Sequence, residues 1–500
     1  MRTERGLAPS ERVGEDLGTF PWQATFWPAR LVRRRTYPAN GPIEGRRYLC
    51  NKCCQGASLD EAGNLYLTNV NAGSPMGRLL RSYWIPLCHS DDLSEPDGAP
   101  VRVRLLGESL VAFRDTEGRV GLLDHNCPHR GASLFYGRNE EGGLRCVYHG
   151  WKFDVEGKCL DVPNEPGDCP LQRKVRAAAY PCREANGIVW AYMGEKSGAE
   201  LPPLPAMGWA LAPVERKSTL RYIRNCNWVQ AMEGDFDSSH LGFLHSRLTS
   251  DGPTTGDAFR PILAEYRRPL LEVADTAVGV MYGAGRGTAG TEQYWRVTQF
   301  QLPFYTSVPA YDGLNRLKIW VPMDNEHVMI WEANWSPERD LTPEERRGHK
   351  GRVGPSGFLP DTDGWYGRGN FAARAENDYL LDRQRQKAHN FTGMEDTTPI
   401  QDAAMQESMG AIVDRTKEHL SASDAAIIRM RRKLMQAAEA LGLEAVTPPG
   451  VDEPELYNGH GDQMLVQDGG CWKSSYAALM AQHYLPEPIL RVAAGQSPAS

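Results

Sequence analysis

One pattern constrains this chain more than any other: Cys127-Pro-His129-Arg130-Gly131, then, with 16 residues between His129 and the next cysteine, Cys146-Val-Tyr-His149-Gly150-Trp151. Each half offers one thiolate and one imidazole at the tip of a loop between strand-like runs. The glycines suit tight turns wrapped around something bulky. The chain has 11 cysteines, an odd number spread over 500 residues. A disulfide framework is a poor fit to that distribution, so the clustered cysteines read first as metal ligands.

Two Cys and two His satisfy either a tetrahedral zinc ion or a Rieske [2Fe–2S] centre. Zinc sites usually pair Cys-x2-Cys with His-x3-His, so the alternation of Cys-x-His with Cys-x2-His favours iron–sulfur. In that case both cysteines hold one iron and both histidines the other. Exchanging two thiolates for neutral imidazoles lifts the reduction potential into the range of about −150 to +300 mV. Cys50 and Cys53 have zinc-knuckle spacing, but no second pair follows at a useful distance.

The length points to two or three domains. Residues 1–56 have no clear periodicity and read as a poorly structured extension. Residues 57–200 carry short alternating runs bounded by Gly, Asn or Pro, such as Val101–Leu106 and Leu110–Phe113 flanking Gly107-Glu-Ser109, which reads as a hairpin. This is an all-β domain with a leading helix. Leu201-Pro-Pro-Leu-Pro205 reads as a linker. Residues 201–442 mix a helical stretch over 228–245, long strand-like runs over 271–335 and a long helical pattern over 400–442, and 443–500 is left as a C-terminal tail. The whole is α+β, with an antiparallel sheet in the second domain. A net charge of −7 argues against nucleic-acid binding through phosphate neutralisation. No apolar run approaches the roughly 18 residues of a membrane helix, and the N-terminus has no secretory pattern. The expected compartment is the cytoplasm.

A second constellation lies in Asn227-Trp228 to His245, with Asp237, His240 and His245 inside it. Two histidines and one carboxylate on one face of an iron leave positions open for O2. In an unbroken helix His240 and His245 would point about 140° apart, so a shared metal requires the helix to distort or end near Leu241-Gly242. Asp237, three residues before His240, can lie beside that imidazole. The third ligand comes from elsewhere. Asp402 is the candidate, with Glu395, Asp396 and Glu407 as rivals, because an acid in the first turn of a helix is also a routine partner of the helix dipole.

Together these segments resemble the α subunits of Rieske ring-hydroxylating oxygenases, closest to the phthalate 4,5-dioxygenase branch, over roughly residues 60–440. The resemblance implies a Rieske domain ligated by Cys127, His129, Cys146 and His149. It implies a helix-grip catalytic domain with mononuclear Fe(II) on His240, His245 and Asp402. It also assigns Asp237 to the bridge between one subunit's iron and its neighbour's cluster. It further implies a homotrimer or stacked trimers, O2 as co-substrate, and NADH electrons delivered by a flavin and iron–sulfur reductase or a ferredoxin. The expected activity is hydroxylation of a small aromatic substrate. A monooxygenase or O-demethylase of the same fold shares these motifs. A zinc-stabilised binding protein is the alternative from another class. For an aromatic carboxylate substrate, Arg267, Arg268 and Arg296 are candidate cations, and Phe300, Phe304, Tyr305 and Trp320 candidate walls.

Overall fold

The structure, a computed structural model, describes residues 59–167, 169–248, 260–288, 290–309, 313–347 and 353–481. The expected extension over 1–56, with Cys50 and Cys53, lies outside the described residues.

The first domain follows two short helices, Glu61–Thr68 and Pro75–Arg81. Its three small antiparallel sheets run β1 (Trp84–His89), β10 (Ile188–Tyr192), β9 (Cys182–Ala185); β2 (Val101–Leu105), β3 (Glu108–Arg114), β4 (Val120–Asp124); and β5 (Arg138–Glu140), β6 (Gly143–Arg145), β7 (Lys152–Phe153), β8 (Cys159–Asp161). In β2 the alternation Val-Arg-Val-Arg-Leu buries Val101, Val103 and Leu105, as period two requires. The expected hairpin joins β2 to β3 through Leu106 and Gly107, both with positive φ, 46° and 82°. Its tip is a peg into the second domain. The Leu106 and Gly107 amides donate to the carbonyls of Pro322 and Met323 at 3.0 and 2.9 Å.

The second domain is an eight-stranded antiparallel sheet in the order β11 (Lys217–Arg224), β17 (Val328–Trp335), β16 (Asn315–Pro322), β15 (Tyr305–Ser307), β14 (Glu292–Gln301), β13 (Gly279–Gly287), β12 (Leu270–Thr276), with β18 (Asp462–Gln467) also on β14. Its two faces carry separate cores. Val280, Tyr282 and Phe300 pack with Trp228, Met430 and Leu434 from the helices Trp228–Asp235 and Ala425–Glu444. Met281, Trp295 and Val297 pack on the other face with Trp472 and Tyr476.

Three expectations need correction. The helical stretch over 228–245 ends at Asp235, and His240–Gly242 is a separate 3-10 turn. The long helix over 400–442 is two helices, Thr398–Ser408 and Ala425–Glu444. It breaks at Gly410, whose φ is +89°, because the backbone there serves the neighbouring helix: Asn227 N–H donates to Ala411 O at 2.7 Å and Val413 N–H to Gln230 Oε1 at 2.8 Å. The region read as a tail from 443 supplies β18. The short strand β15 covers only Gln299–Gln301 of β14, and β18 takes the remaining edge from Glu292 to Val297, whose amides and carbonyls would otherwise lack partners.

The break between those helices is anchored by charge. Arg415 donates to both Glu233 oxygens at 3.1 and 3.2 Å, and Arg431 Nε to Glu233 Oε1 at 2.6 Å and its guanidinium ends to Glu418 at 2.6 and 2.9 Å. Burial would push the Glu233 carboxyl up, but the two guanidinium groups outweigh it and hold it below its ordinary value. Glu233→Leu leaves two buried arginines facing one carboxylate, which should cost about 3–5 kcal/mol. The expected readout is a clear fall in thermal midpoint, partly restored when Arg415→Met is added.

Candidate metal centres

The two Cys/His loops are copies of one another. Cys127 N–H donates to Ala132 O and Cys146 N–H to Trp151 O, each at 2.8 Å. Gly131 N–H returns to Cys127 O and Gly150 N–H to Cys146 O, each at 2.9 Å. Closing such a loop requires positive φ at the glycine, and Gly131 and Gly150 stand at 73° and 79°. The loops bring like donors together. The Cys127 and Cys146 thiols are hydrogen-bonding neighbours, and the His129 and His149 ring centroids lie 4.4 Å apart. Burial, with the second thiol adding to it, pushes Cys127 up to about 11, so a thiolate pair here needs a cation beside it. His129 stacks on Trp151 at 4.4 Å, and its buried Nδ1 has no hydrogen-bond partner. Buried ring nitrogens are seldom left so, and ligation would satisfy this one. Two adjacent thiols and two adjacent imidazoles, one with an orphaned nitrogen, fit a [2Fe–2S] cluster.

The second site forms where the Trp228–Asp235 helix gives way. Asp237 accepts the amides of Ser239 at 2.6 Å and His240 at 3.3 Å, tightening the chain into the 3-10 turn. The turn supplies the distortion that the five-residue spacing requires. His240 Nε2 and His245 Nε2 lie 3.2 Å apart. Asp402 Oδ1 lies 3.1 Å from His245 Nε2 and 3.8 Å from His240 Nε2. Bonds of about 2.1 Å to one ion place neighbouring donors about 3 Å apart, so the set fits a single metal. Asp237 Oδ2 lies 3.2 Å from His240 Nδ1; a carboxylate accepts, so Nδ1 carries the proton and Nε2 turns its lone pair to the other donors. For both carboxyls burial opposes ionisation. At Asp237 the Nδ1–H of His240 and the Ser239 and His240 amides outweigh it and hold the carboxyl below the ordinary range.

The rival acids are occupied elsewhere. Glu395 accepts from Ser356, Asp396 from His389 and Asn390, and Glu407 from Asn225 N–H and Tyr379. Of the candidate arginines, Arg268 is exposed, Arg267 is exposed above the Phe243 ring at 4.8 Å, and Arg296 is buried with its guanidinium on Tyr294 and Pro309 O. Phe300 packs toward Phe236, and Trp320 donates to Thr306. Phe304 and Tyr305 pack on each other, and Tyr305 on Tyr457. Sequence reasoning missed three groups. Gln401 sits 2.7 Å from His245 Nδ1, and only its place beside Asp402 pointed to it. Arg286 donates to Ser238 O at 2.8 Å and Oγ at 3.1 Å, next to Asp237. Lys318 pairs with Asp235 at 2.5 Å, hidden in a run that read only as a strand.

An iron–sulfur domain joined to a sheet domain with a two-histidine, one-carboxylate site defines a two-centre redox enzyme. Residues 83–180 match the model of the Rieske [2Fe-2S] domain, and residues 191–478 match that of the LigXa C-terminal domain like family. The chain is 40% identical to the 3-chlorobenzoate-3,4-dioxygenase oxygenase subunit of Comamonas testosteroni, covering 78% of this chain and 91% of that protein. It is also 40% identical to the phthalate 4,5-dioxygenase oxygenase subunit of Pseudomonas putida, covering 75% and 85%. The solved structure of the Pseudomonas putida CBB5 NdmA QL mutant with caffeine shares the fold at 18% identity and a TM-score of 0.50, over 79% of this chain and 98% of that one. The chain belongs to the Rieske-type aromatic ring oxygenases, as an oxygenase subunit.

With Cys146 as a cluster ligand and Asp402 as a ligand of the second metal, the two centres should be separable. Cys146→Ser is expected to abolish the visible Rieske absorption. Asp402→Ala is expected to keep that absorption and lose the mononuclear iron, measured as iron per chain. A full Rieske spectrum in Cys146→Ser, or full iron in Asp402→Ala, would reassign the ligand concerned.

Proposed function

We propose that this oxygenase subunit hydroxylates a small aromatic carboxylate, using O2 and electrons that originate in NADH. The relatives at 40% identity are named for 3-chlorobenzoate and phthalate. The observation that carries the reading here is the cation-bearing inner face of the sheet beside the triad. Arg286 and Arg296 are 3% and 5% exposed. Both act electrostatically on Tyr282, as does Asp237, and the Tyr282 ring packs on Phe236 at 4.9 Å. A substrate carboxylate held on this face would lie near Arg286, with Phe236 and Phe300 as apolar neighbours of its ring. Arg286 replaces Arg267 and Arg268 as the favoured anchor, since those two are exposed.

When bound, the [2Fe–2S] cluster supplies electrons singly and the mononuclear iron supplies the chemistry of O2. The chain's residues hold and orient. Cys127, Cys146, His129 and His149 would hold the cluster, and His240, His245 and Asp402 would hold the iron. Asp237 fixes the His240 proton on Nδ1 and retains acceptor capacity. We assign its remaining capacity to the Nε2–H of His149 of the partner subunit, in a homotrimer or stacked trimers. Exposed apolar side chains support that contact: Tyr136, Val147 and Tyr148 around the cluster loops, and Phe243, Leu248 and Phe391 around the triad. The electron donor is a flavin and iron–sulfur reductase or a ferredoxin. A cytoplasmic setting suits the eight described cysteines, all free thiols. Among the described residues, no helix is long and apolar enough to cross a membrane.

NADH-driven turnover with a surrogate reductase should consume O2 with benzoate, chlorobenzoate or phthalate and leave neutral aromatics untouched, with product labelled from 18O2. Arg286→Leu should raise KM for the acid about ten- to hundredfold. Equal turnover of acids and neutral aromatics would remove the carboxylate assignment.

Asp237→Asn keeps size and loses charge. It should retain the Rieske absorption and most of the iron while oxidation of the reduced cluster by O2, with substrate present, slows by orders of magnitude in a single turnover. A wild-type rate would take Asp237 off the electron route.

A further inference from the structure

The imidazole of His245 is gripped at both nitrogens by consecutive residues of one helix. Asp402 Oδ1 lies 3.1 Å from Nε2, and Gln401 Oε1 lies 2.7 Å from Nδ1. An amide can present either its oxygen or its nitrogen, so what matters is what fixes its orientation. Gln401 Nε2 lies 3.0 Å from the carbonyl oxygen of Glu395 and 3.3 Å from Thr392 Oγ1. A carbonyl only accepts. The NH2 end must therefore face Glu395, and the oxygen must face the histidine. Gln401 is 3% exposed, so bulk water does not compete for either end.

We infer that Gln401 is the positioning residue of His245. It holds the ring in the Nδ1–H tautomer and turns the Nε2 lone pair toward Asp402 and His240. Two acceptors 3.1 Å apart with no proton between them repel until a cation stands between them, so the amide stores the geometry that the ion completes. The acceptor behind His240 is the carboxylate of Asp237, whereas the acceptor behind His245 is neutral. The arrangement fixes both tautomers with one carboxylate fewer than a symmetric pair would use, leaving a 2+ ion less over-neutralised. The Glu395 carbonyl serves only to decide which end of the amide faces the ring.

This inference rests on the proposed triad, and the test separates the two. Protein with its cluster intact and its mononuclear metal removed by chelation is titrated anaerobically with Fe(II) alone. Wild type should rebind one ion per chain. Gln401→Leu, which removes the acceptor, should raise Kd for Fe(II) about 10–100-fold with the Rieske absorption unchanged. Gln401→Glu keeps an acceptor against Nδ1 but cannot donate to Glu395, and should stay within about threefold of wild type. A Leu variant that binds as wild type does, or a Glu variant as weak as Leu, would overturn the inference, the latter by showing that the bonds to 392 and 395 matter instead. Wild type that rebinds no ion, or Asp402→Ala that rebinds it as tightly as wild type, would remove the triad itself.

Discussion

Three electron-rich donor atoms held within 4 Å of one another oppose their own assembly, and the buried bonds between two helices overcome that opposition. Arg224 is 1% exposed and spans the Asp402 helix, donating to Pro399 O at 2.9 Å near its start and to Gln406 Oε1 toward its end. Gln230, on the helix that leads to His240, donates to Gln406 O at 3.0 Å and Gly410 O at 2.8 Å. Residues 156 apart in the chain, His245 and Gln401, are thereby brought into hydrogen-bond contact. The Glu233–Arg415–Arg431 group ties the same Trp228–Asp235 helix to the Ala425–Glu444 helix and to the segment before it. A charged group so buried is a weak contributor to net stability but a strong one to uniqueness when every member is paired. A site that must hold a fixed geometry needs that uniqueness.

The first domain is attached to this frame by directional bonds as well as by packing. The Leu106–Gly107 peg donates to the end of β16. Asp92 accepts from Arg221 on β11 and from Arg368 of the segment that follows the sheet, the latter at 2.7 Å. His125, two residues before Cys127, packs edge-on against Trp365 of that same segment at 4.9 Å. The second domain therefore reaches the base of the Cys127 loop.

How much of this the sequence discloses depends on how far each feature reaches. The Cys127–His129 and Cys146–His149 loops are local, each closed by its own backbone bonds, so spacing alone exposes them. The alternation in β2 and the turn at Gly107 are equally local. Asp402 is different. Glu395, Asp396 and Glu407 are the same kind of residue at the same kind of position, and only the partners each acid finds in space separate them. Gln401 carries no signal of its own, because its orientation is set by a backbone carbonyl that no residue type encodes. The long helical pattern over 400–442 conceals its break since Ala, Met, Glu and Arg suit a helix on either side of Gly410. The need for that break lies in Asn227 and Gln230, far away in the chain. Arg267 and Arg268 drew attention by charge, but charge does not report that both lie exposed in the loop before β12.

The strand β18 has a consequence for biosynthesis. Its side-chain contact from Gln467 to Glu292 spans 175 residues. At a synthesis rate of about 5–20 residues per second, the edge of β14 waits about 9–35 s on the ribosome before the strand that covers it has been made. For that interval a central strand with an open ladder stands exposed beside nascent neighbours, and such an edge templates pairing with other chains. The ladder of β14 closes only once β18 has been made, so until then the nascent chain depends on shielding of that edge.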